Sequence, residues 1–511
     1  MVQEVGTVIS TLDSPSPANM SFVVNSGNVH RGQFIELEYS EGIMVALVMD
    51  VIKTNRYFER ADSVKEFESD GNSMLEQFPV NEWEFLVART KPLGVFTETL
   101  IKKPSLPVGP GTKVKIASKQ NLEKFLGLTK NNGLLLGEIE YHSLPLTLNL
   151  DKLIKKHLAI LAMSGSGKSH FVSCLFEELL ERQKENGRIA TIVFDVHSEY
   201  SSFAMPVTDG KHPDYSNKTH LVNASKIKIG VPKLSVEALA VIIPGLSHAQ
   251  KRDLQKVFSK LRSEMKQGLG PFDFRDVKNE LLKDEEIKSS TSQALISWIT
   301  NLEELRLFGR TDNPSINDLL KPGTLTVIDL SDIIQLKKKQ IILSYFARKL
   351  FNDRRNNIIP PFLLVLEEAH QFVPEGKAAE YAVSRSIIET IAREGRKFGA
   401  CLCLISQRPI QLSTTALSQC NTHCILRISN PYDLDHISRS SEGLDRRSME
   451  MVSSLRVGEA LLVGEAVNFP VFFKVRQRKS MKPKHEISLE QAAINFENEK
   501  AESEKEAEAF L

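Results

Sequence analysis

The stretch HLAILAMSGSGKSHF, residues 157–171, restricts the fold of this chain more than any other. Four apolar residues lead into a turn of glycines and serines, which is followed by a lysine and a serine. This pattern is typical of a buried strand that runs into a phosphate-binding loop and then a helix. The glycines let successive backbone N–H groups point at phosphate oxygens, and the helix N-terminus adds its positive dipole. The usual first glycine is Ala162 here, which the loop tolerates if its φ is negative.

The loop predicts a site for ATP and Mg²⁺. Lys168 is placed to reach the β- and γ-phosphates, and the Ser169 hydroxyl to bind Mg²⁺. We expect Lys168 to face solvent and the following helix to span about Ser169 to Arg182. A chance turn of small residues is the alternative. The residues assigned to nucleotide binding are Ser164, Gly165, Ser166, Gly167, Lys168, Ser169 and His170.

A second stretch, PFLLVLEEAHQF from residue 361, ends an apolar run in two adjacent carboxylates. In phosphoryl-transfer enzymes, the carboxyl end of a buried parallel strand is where Mg²⁺ and the attacking water are handled. We therefore assign Glu367 to the Mg²⁺ shell and Glu368 to orienting and deprotonating the water. Aspartate is commoner at the first position, and the longer arm of Glu367 can act through a metal-bound water. A surface acidic pair after a strand is the alternative.

Polar and basic side chains near a third apolar run complete the candidate site. Gln407 follows the run CLCLIS, and we assign its amide to sensing the γ-phosphate or the water, with a plain turn as the alternative. Upstream, Arg393 and Arg396 follow a predicted helix that ends near Gly395. Because Lys168 already serves its own site, we expect these arginines to stabilise phosphoryl charge in a neighbouring subunit. A basic helix end that complements the dipole is the alternative.

The pattern of apolar residues changes near Pro145. Residues 1–145 form short strands separated by Gly, Pro, Asn and Asp, which predicts a small β-barrel. Residues 146–480 alternate continuous apolar strands with amphipathic helices, which predicts an α/β domain with a parallel central sheet. Within it, residues 235–307 are predicted to be an inserted helical lobe. Residues 481–511 are a charged C-terminal extension.

Charge is unevenly distributed along the chain. Residues 1–100 hold 7 Lys and Arg against 15 Asp and Glu, and residues 481–511 hold 4 against 8. The residues between them hold 54 against 41, so the middle of the chain is basic. A basic middle is consistent with a domain that handles a polyanion, although a long segment often drifts by this much. We expect the acidic barrel to dock a protein partner and not to bind DNA.

The remaining features predict a cytoplasmic protein without a membrane span. The first residues, MVQEVGTVIS, lack the basic and apolar regions of a secretory signal, and no apolar run approaches about 18 residues. The five cysteines are too few and too clustered for a disulfide framework. Cys420 and Cys424 flank a histidine but lack a second pair at zinc-ligand spacing, so we expect buried thiols.

Five motifs in this order resemble the HerA family of archaeal motor ATPases. They are the loop ending in GKS at 167–169, DVHSEY from Asp195, LEEAH from Leu366, REGRKFG from Arg393 and SQRP from Ser406. The similarity covers essentially the whole chain, since the family also begins with a small β-barrel and ends with a charged extension. This chain departs from the family at Ala162 and at His197-Ser198, where a glycine often precedes the Glu-Tyr pair.

The resemblance implies a RecA-like P-loop ATPase core of the HerA–FtsK branch, assembled as a hexameric ring that hydrolyses ATP between subunits. It implies a double-stranded DNA translocase or helicase that acts with a NurA-type nuclease in DNA end resection, double-strand break repair and homologous recombination. It carries over Lys168 and Ser169 as phosphate and Mg²⁺ contacts, Glu367 and Glu368 as metal and water carboxylates, Gln407 as sensor, Arg393 as the finger acting in trans, Arg396 as the substitute finger and Lys156 as a further trans cation.

Two other functions fit the same motifs. One is a motor of the same fold that moves polypeptides, as secretion ATPases do, although no membrane helix or envelope-docking domain is visible. The other is a nucleotide-gated scaffold, which the paired carboxylates and the candidate finger disfavour because a switch does not need fast hydrolysis. ATPase stimulation by double-stranded DNA separates the three functions.

Overall fold

A computed structural model describes residues 4–11, 13–55, 58–69, 73–74, 83–97, 100–243, 245–441, 444–482, 490–491 and 493–498. The chain forms two compact units, each built from two stretches of sequence. The first unit comprises Met1–Phe171 and Leu402–Arg476, and the second comprises Val172–Cys401 and Gln477–Leu511. The predicted domain boundaries near residues 145 and 480 stay predictions.

The strands lie close to where the apolar runs predict them. Their bounds are β1 (Glu4–Ile9), β2 (Met20–Val24), β3 (Phe34–Tyr39), β4 (Gly42–Asn55), β5 (Glu84–Phe96), β6 (Ile101–Lys102), β7 (Lys113–Ile116), β8 (Leu134–Ile139), β9 (Leu144–Leu148), β10 (Leu158–Leu161), β11 (Ala190–Asp195), β12 (Thr219–Asn223), β13 (Ile229–Gly230), β14 (Phe308–Gly309), β15 (Leu325–Asp329), β16 (Phe362–Leu366), β17 (Ala400–Ser406), β18 (Thr422–Leu426), β19 (Glu459–Gly464) and β20 (Val471–Val475).

Most α-helices of the described residues come after β9. Their bounds are α1 (Ala61–Ser69), α2 (Lys119–Leu126), α3 (Leu150–Ile154), α4 (Lys168–Glu181), α5 (Val236–Ile242), α6 (His248–Glu264), α7 (Phe274–Lys283), α8 (Ser289–Glu304), α9 (Ile316–Leu319), α10 (Leu336–Arg355), α11 (Arg385–Glu394), α12 (Thr414–Ser418), α13 (Pro431–Ser440) and α14 (Arg446–Ser453).

The N-terminal strands form a closed barrel. Neighbours around the ring are β1, β2, β5, β4, β3 and β7, and the β2–β5 pairing closes it, while β6 extends from β5. Apolar side chains that alternate along the strands fill the interior, among them Phe22, Ile35, Leu37, Met44 and Val48. The predicted small β-barrel is therefore confirmed.

The rest of the first unit carries the strand of the phosphate-binding stretch. β10 lies between β17 and β18 and runs parallel to both, whereas β18, β19, β20, β8 and β9 follow one another in antiparallel pairs. All four residues of β10 are buried, which is expected of a central strand covered on both faces. The register pairs Leu161 at the end of β10 with Ser406 of β17 and Ile425 of β18.

The second unit has its own run of parallel strands, in the order β12, β15, β11, β16. β11 and β16 are buried along their full length, as continuous apolar runs predict. Because the strands are parallel, their carboxyl ends lie at one edge, and β11, β15 and β16 all lead into acidic residues there. The predicted parallel sheet of an α/β fold is confirmed.

Four helices, α5 to α8, occupy most of residues 235–307, as the helical pattern predicts. Ser247 and Gln250 form a capping box at the start of α6, and Asp273 and Asp276 form one at the start of α7. Each helix buries one apolar stripe, for example Leu254, Val257, Phe258 and Leu261 on α6. The inserted helical lobe is confirmed.

Two further predictions concern the ends of the described chain and membranes. Most of the predicted charged extension, residues 481–511, lies outside the described residues. Among the helices that the structure describes, none combines the length and the apolarity that a membrane crossing requires.

Candidate functional site

The phosphate-binding stretch folds as a tight loop between β10 and α4. Gly165 has φ +73° and Gly167 has φ +101°, a region that side chains other than glycine rarely adopt. A Cβ atom on Gly165 would meet open space, so the loop leaves room above this backbone. Ala162 is fully buried and is not among the residues with positive φ, so the methyl group fits where a glycine is usual. The loop backbone therefore has the shape that holds an anion.

Hydrogen bonds within the first unit hold the loop in this shape. The Ser166 hydroxyl donates to the carbonyl of Met163 at 2.7 Å, and Ser166 is fully buried. The backbone N–H of Ala162 donates to Ser406, and that of Met163 donates to Arg427. The loop is thus tied to the strands on both sides of β10 before any ligand binds.

The basic and hydroxyl side chains of the loop begin α4. Lys168 is only 5% exposed, so the expectation that it faces solvent is wrong. Lys168 is the first residue of α4, and the packing around this first helical turn covers its side chain. Ser169 and His170 are half-buried, and the Nε2–H of His170 donates to the carbonyl of Arg476 at 2.8 Å. A lysine and a hydroxyl next to glycine backbone form a donor set that fits a phosphate and Mg²⁺.

The candidate sensor lies directly beside the loop. Gln407 follows β17, whose last residue, Ser406, is paired in register with the end of β10. The Ser406 hydroxyl accepts from the backbone N–H of Arg408 at 3.0 Å, which fixes the turn after the strand. Gln407 itself is half-buried. Within the first unit, the structure thus brings Gln407 together with the loop.

Lys156 lies at the opposite end of β10 from the loop. Its Nζ forms a 2.8 Å ion pair with Glu465 of the same unit, at the edge where the parallel strands begin. Lys156 therefore already has a partner within its own chain, which weakens its assignment as a trans cation.

In the second unit, the two assigned carboxylates follow β16 and are almost completely buried. Glu367 is 0% and Glu368 is 4% exposed. The backbone of Glu368 has φ +49°, a left-handed conformation that costs free energy in residues other than glycine and is concentrated at functional sites. Its carboxylate lies 3.3 Å from Nδ1 of His370. The two carboxyl groups differ in their partners, since Glu367 accepts the backbone N–H of Val196 instead.

Asp195, at the end of β11, forms a side-chain hydrogen bond with Glu367. Its carboxylate accepts backbone N–H groups from His197, Glu199 and Tyr200 at 3.3, 3.1 and 2.9 Å. Burial raises the pKa of Asp195, and hydrogen bonds, first that with Glu367, act in the opposite direction. Two buried carboxyl groups in contact share one proton more readily than they both ionise. A bound cation would take the place of that proton.

Sequence reasoning did not assign roles to Asp195 or to Asp329 of β15. The Ser198 hydroxyl donates to Asp329 at 2.9 Å, and Ser198 has φ +59°. The sequence contains a pattern that could have identified them, because β11, β15 and β16 each end in or lead directly into a carboxylate. Parallel strands bring these carboxylates to the same edge of the sheet.

The candidate finger residues are exposed cations. Arg393 lies in the last turn of α11 rather than after it, and Arg396 lies in a 3₁₀ turn, Gly395–Lys397. Neither forms an ion pair with any residue that the structure describes. A Cβ on Gly395 would lie 2.2 Å from the carbonyl of Ala400, so glycine permits the close approach that sets this turn.

The five cysteines are buried thiols. All five are buried and unbridged, and burial raises the pKa of Cys403, Cys420 and Cys424. No cluster of three metal-binding side chains occurs among the described residues. The prediction of buried thiols beside a strand is confirmed.

The fold and the loop define a P-loop ATPase with a RecA-like core. VirB4 of Thermoanaerobacter pseudethanolicus has the same fold, with a TM-score of 0.51 at 15% identity, covering 68% of this chain and 98% of VirB4. The family model described as "Helicase HerA, central domain" matches residues 134–350.

Two relatives match over most of the chain. The DNA double-strand break repair helicase HerA of Pyrococcus furiosus is 28% identical over 526 residues, covering 91% of each chain. The protein of the same name from Saccharolobus solfataricus is 26% identical over 473 residues, covering 88% of each. The family model and these relatives together support a member of the HerA family.

Proposed function

We propose that this protein is an ATP-driven translocase or helicase that moves along double-stranded DNA and acts in double-strand break repair. The observation that carries the proposal is the preformed phosphate loop, with Gln407 beside it, in a chain whose HerA relatives are named DNA repair helicases. The likeness to VirB4 concerns the fold alone and does not favour a polypeptide substrate.

The residues divide the work of hydrolysis. Backbone N–H groups of the loop and Lys168 hold the phosphates of ATP, and Gln407 senses the γ-phosphate. Glu368 orients the attacking water and accepts its proton, which its burial and its separation from solvent favour. Mg²⁺ would neutralise charge on the phosphates, and we assign it to Ser169 in the first unit and to Glu367, which contacts Asp195, in the second.

The exposed side chains of Arg393 and Arg396 support the assembly of several subunits into a ring. Arg393 and Arg396 are cations without carboxylate partners among the described residues, and a neighbouring subunit's ATP would supply the missing negative charge. We therefore propose a homo-hexamer in which Arg393 acts in trans, with Arg396 as the substitute. The acidic barrel region is the surface we assign to a NurA-type nuclease partner in end resection. The buried, unbridged cysteines support a cytoplasmic location.

A basic surface in the second unit supports a polyanionic substrate. Lys337 and Lys338 lie in the first turn of α10. Burial lowers the pKa of Lys338, and the nearby charges of Lys228 and Arg306 lower it further. None of the four forms an ion pair with a described residue. Ile334, just before them, is 97% exposed. Uncompensated cations around an exposed apolar residue suit a DNA backbone with its sugars.

The direct test is the rate of ATP hydrolysis with and without linear double-stranded DNA. The proposed function predicts strong stimulation that weakens as salt increases, because phosphate contacts release counterions. A rate that DNA leaves unchanged favours a polypeptide motor, and negligible turnover under all conditions favours a scaffold. Either result would contradict the proposal.

A further inference from the structure

The turn at residues 456–458, directly before β19, packs against the phosphate loop. The backbone N–H of Gly458 donates to the carbonyl of Ser166 at 3.2 Å, and a Cβ on Gly167 would lie 3.4 Å from the Gly458 nitrogen. The carbonyl of Gly458 accepts from Val475 at 2.8 Å. These residues all belong to the first unit, so the turn and the loop form one packed structure.

The two residues before Gly458 are exposed. Leu455 is buried and anchors the turn, whereas Val457 is 62% exposed and the side chain of Arg456 is 86% exposed. The backbone N–H of Arg456 donates to the Glu459 carboxylate at 2.8 Å, which fixes the turn without engaging the guanidinium closely. A valine and an arginine are thus held open to solvent on a rigid turn against the phosphate loop.

The strand order tells which part of a nucleotide would meet this turn. β10 has β17 on one side, and β17 leads into Gln407, the residue assigned to the γ-phosphate. On the other side are β18 and then β19, which the turn precedes. A triphosphate whose γ end lies toward Gln407 extends its nucleoside toward β18 and β19. His170, bonded to Arg476 directly after β20, lies on this same side.

We propose that Arg456 and Val457 form the subsite for the nucleoside of ATP, next to His170. Val457 provides apolar contact to the base, and the planar guanidinium of Arg456 stacks on it. The contact of Gly458 with Ser166 sets the distance between this subsite and the phosphates. The proposal rests on the proposed function, because it requires that the loop bind ATP.

Inorganic tripolyphosphate separates the subsite from the loop, because it carries the phosphates of ATP without a nucleoside. The dissociation constants of ADP and tripolyphosphate are measured by calorimetry on the full chain, together with KM for ATP. In Arg456→Ala and Val457→Ser, ADP binding should weaken by about tenfold, as expected for lost base stacking. Tripolyphosphate binding should not change. Arg456→Lys keeps the charge but loses the plane, so it should resemble Arg456→Ala.

Matched controls come from exposed residues of the same unit. Arg439, on α13 and paired with Asp435, is the control for the arginine, and Leu106, which is 61% exposed, is the control for the valine. Arg439→Ala and Leu106→Ser should leave both dissociation constants unchanged. The thermal midpoint of every variant verifies folding.

Other results would contradict either the nucleoside subsite alone or the proposed function as a whole. Equal weakening of ADP and tripolyphosphate would mean that the turn acts only through the shape of the loop, and unchanged ADP binding would mean that it contacts no nucleoside. Both results reject the subsite while the proposed function stands. If Lys168→Ala keeps full affinity for both ligands, the nucleotide site itself is wrong and the proposed function fails with it.

Discussion

Glu368 is held in a left-handed backbone conformation and is buried beside His370, whereas Glu367 points to the backbone of Val196. The same strand end therefore gives the two carboxylates different surroundings, which suits the different roles that we propose for them. Glu368→Gln preserves the shape and removes the base, so hydrolysis should slow by roughly 10²–10⁴-fold while ATP still binds. Single-turnover hydrolysis and nucleotide binding are measured on the same preparation, with Glu367→Gln alongside. If Glu367→Gln stalls hydrolysis with binding intact and Glu368→Gln does not, the two roles are reversed.

A second prediction at the scale of single residues concerns Lys168. Lys168→Ala removes the cation that compensates phosphate charge, so turnover should fall by at least about 10²-fold. Because the side chain is buried rather than solvent-facing, a modest loss of stability is expected as well. The matched control is Lys155→Ala, at an exposed lysine before β10 in the same unit. Normal turnover in Lys168→Ala would refute the assignment of the phosphate loop.

The burial of Lys168 shows the limit of residue-level prediction. The motif spacing identified the loop, because glycines at two positions with positive φ are a local requirement. Whether the lysine is exposed depends on what packs around the first turn of α4, which no local pattern encodes. The acidic neighbours Asp195 and Asp329 were missed for a similar reason, since their proximity follows from strand order.

At the scale of elements, Arg393 at the end of α11 provides a test of the proposed ring. Arg393→Ala should reduce hydrolysis by roughly 10³–10⁵-fold, the range measured for fingers acting in trans, while each subunit still binds ATP. When Arg393→Ala and Glu368→Gln subunits are assembled together, some interfaces combine an intact finger with an intact carboxylate. ATPase activity should therefore reappear in mixed rings of two inactive variants.

The control for this experiment is Lys397→Ala, which removes an exposed cation from the same 3₁₀ turn and should stay active. Native mass spectrometry establishes that mixed rings have formed. Mixed rings that remain as inactive as their parents would show that Arg393 does not act in trans, and Arg396 would then be the next residue to test.

The contact between the barrel and the segment after β8 predicts a pH dependence. His142 Nε2 accepts the backbone N–H of Phe34 at 2.9 Å, and burial lowers the pKa of His142 to about 4. The unfolded chain binds this proton below about pH 6.5, so the free energy of unfolding should fall between pH 6.5 and 4, by up to about 3 kcal/mol. His142→Gln should reduce this fall in urea titrations at pH 7 and 4.5.

His248 provides the control, because it is an exposed histidine in the helical lobe. His248→Gln should leave the pH dependence of unfolding as it is in the unchanged protein. If His142→Gln unfolds with the same pH dependence as the unchanged protein, protonation of His142 does not weaken the fold.

For the whole molecule, the order of elements was predictable, because continuous and alternating apolar runs distinguish a parallel sheet from a barrel. The division of the chain into two compact units was not predictable from the sequence. The first unit joins the barrel and phosphate loop to residues 402–476, a long-range association that results from tertiary packing. Local sequence patterns carry no information about such pairings, for example β20 with β8.

The central claim is that ATP hydrolysis drives movement along double-stranded DNA. The most direct measurement is displacement of a labelled third strand from a DNA triplex, placed at a distance from the free end. We predict ATP-dependent displacement whose onset is delayed as that distance increases, and none with Glu368→Gln or with a non-hydrolysable ATP analogue. DNA-stimulated hydrolysis without displacement at any distance would contradict the account.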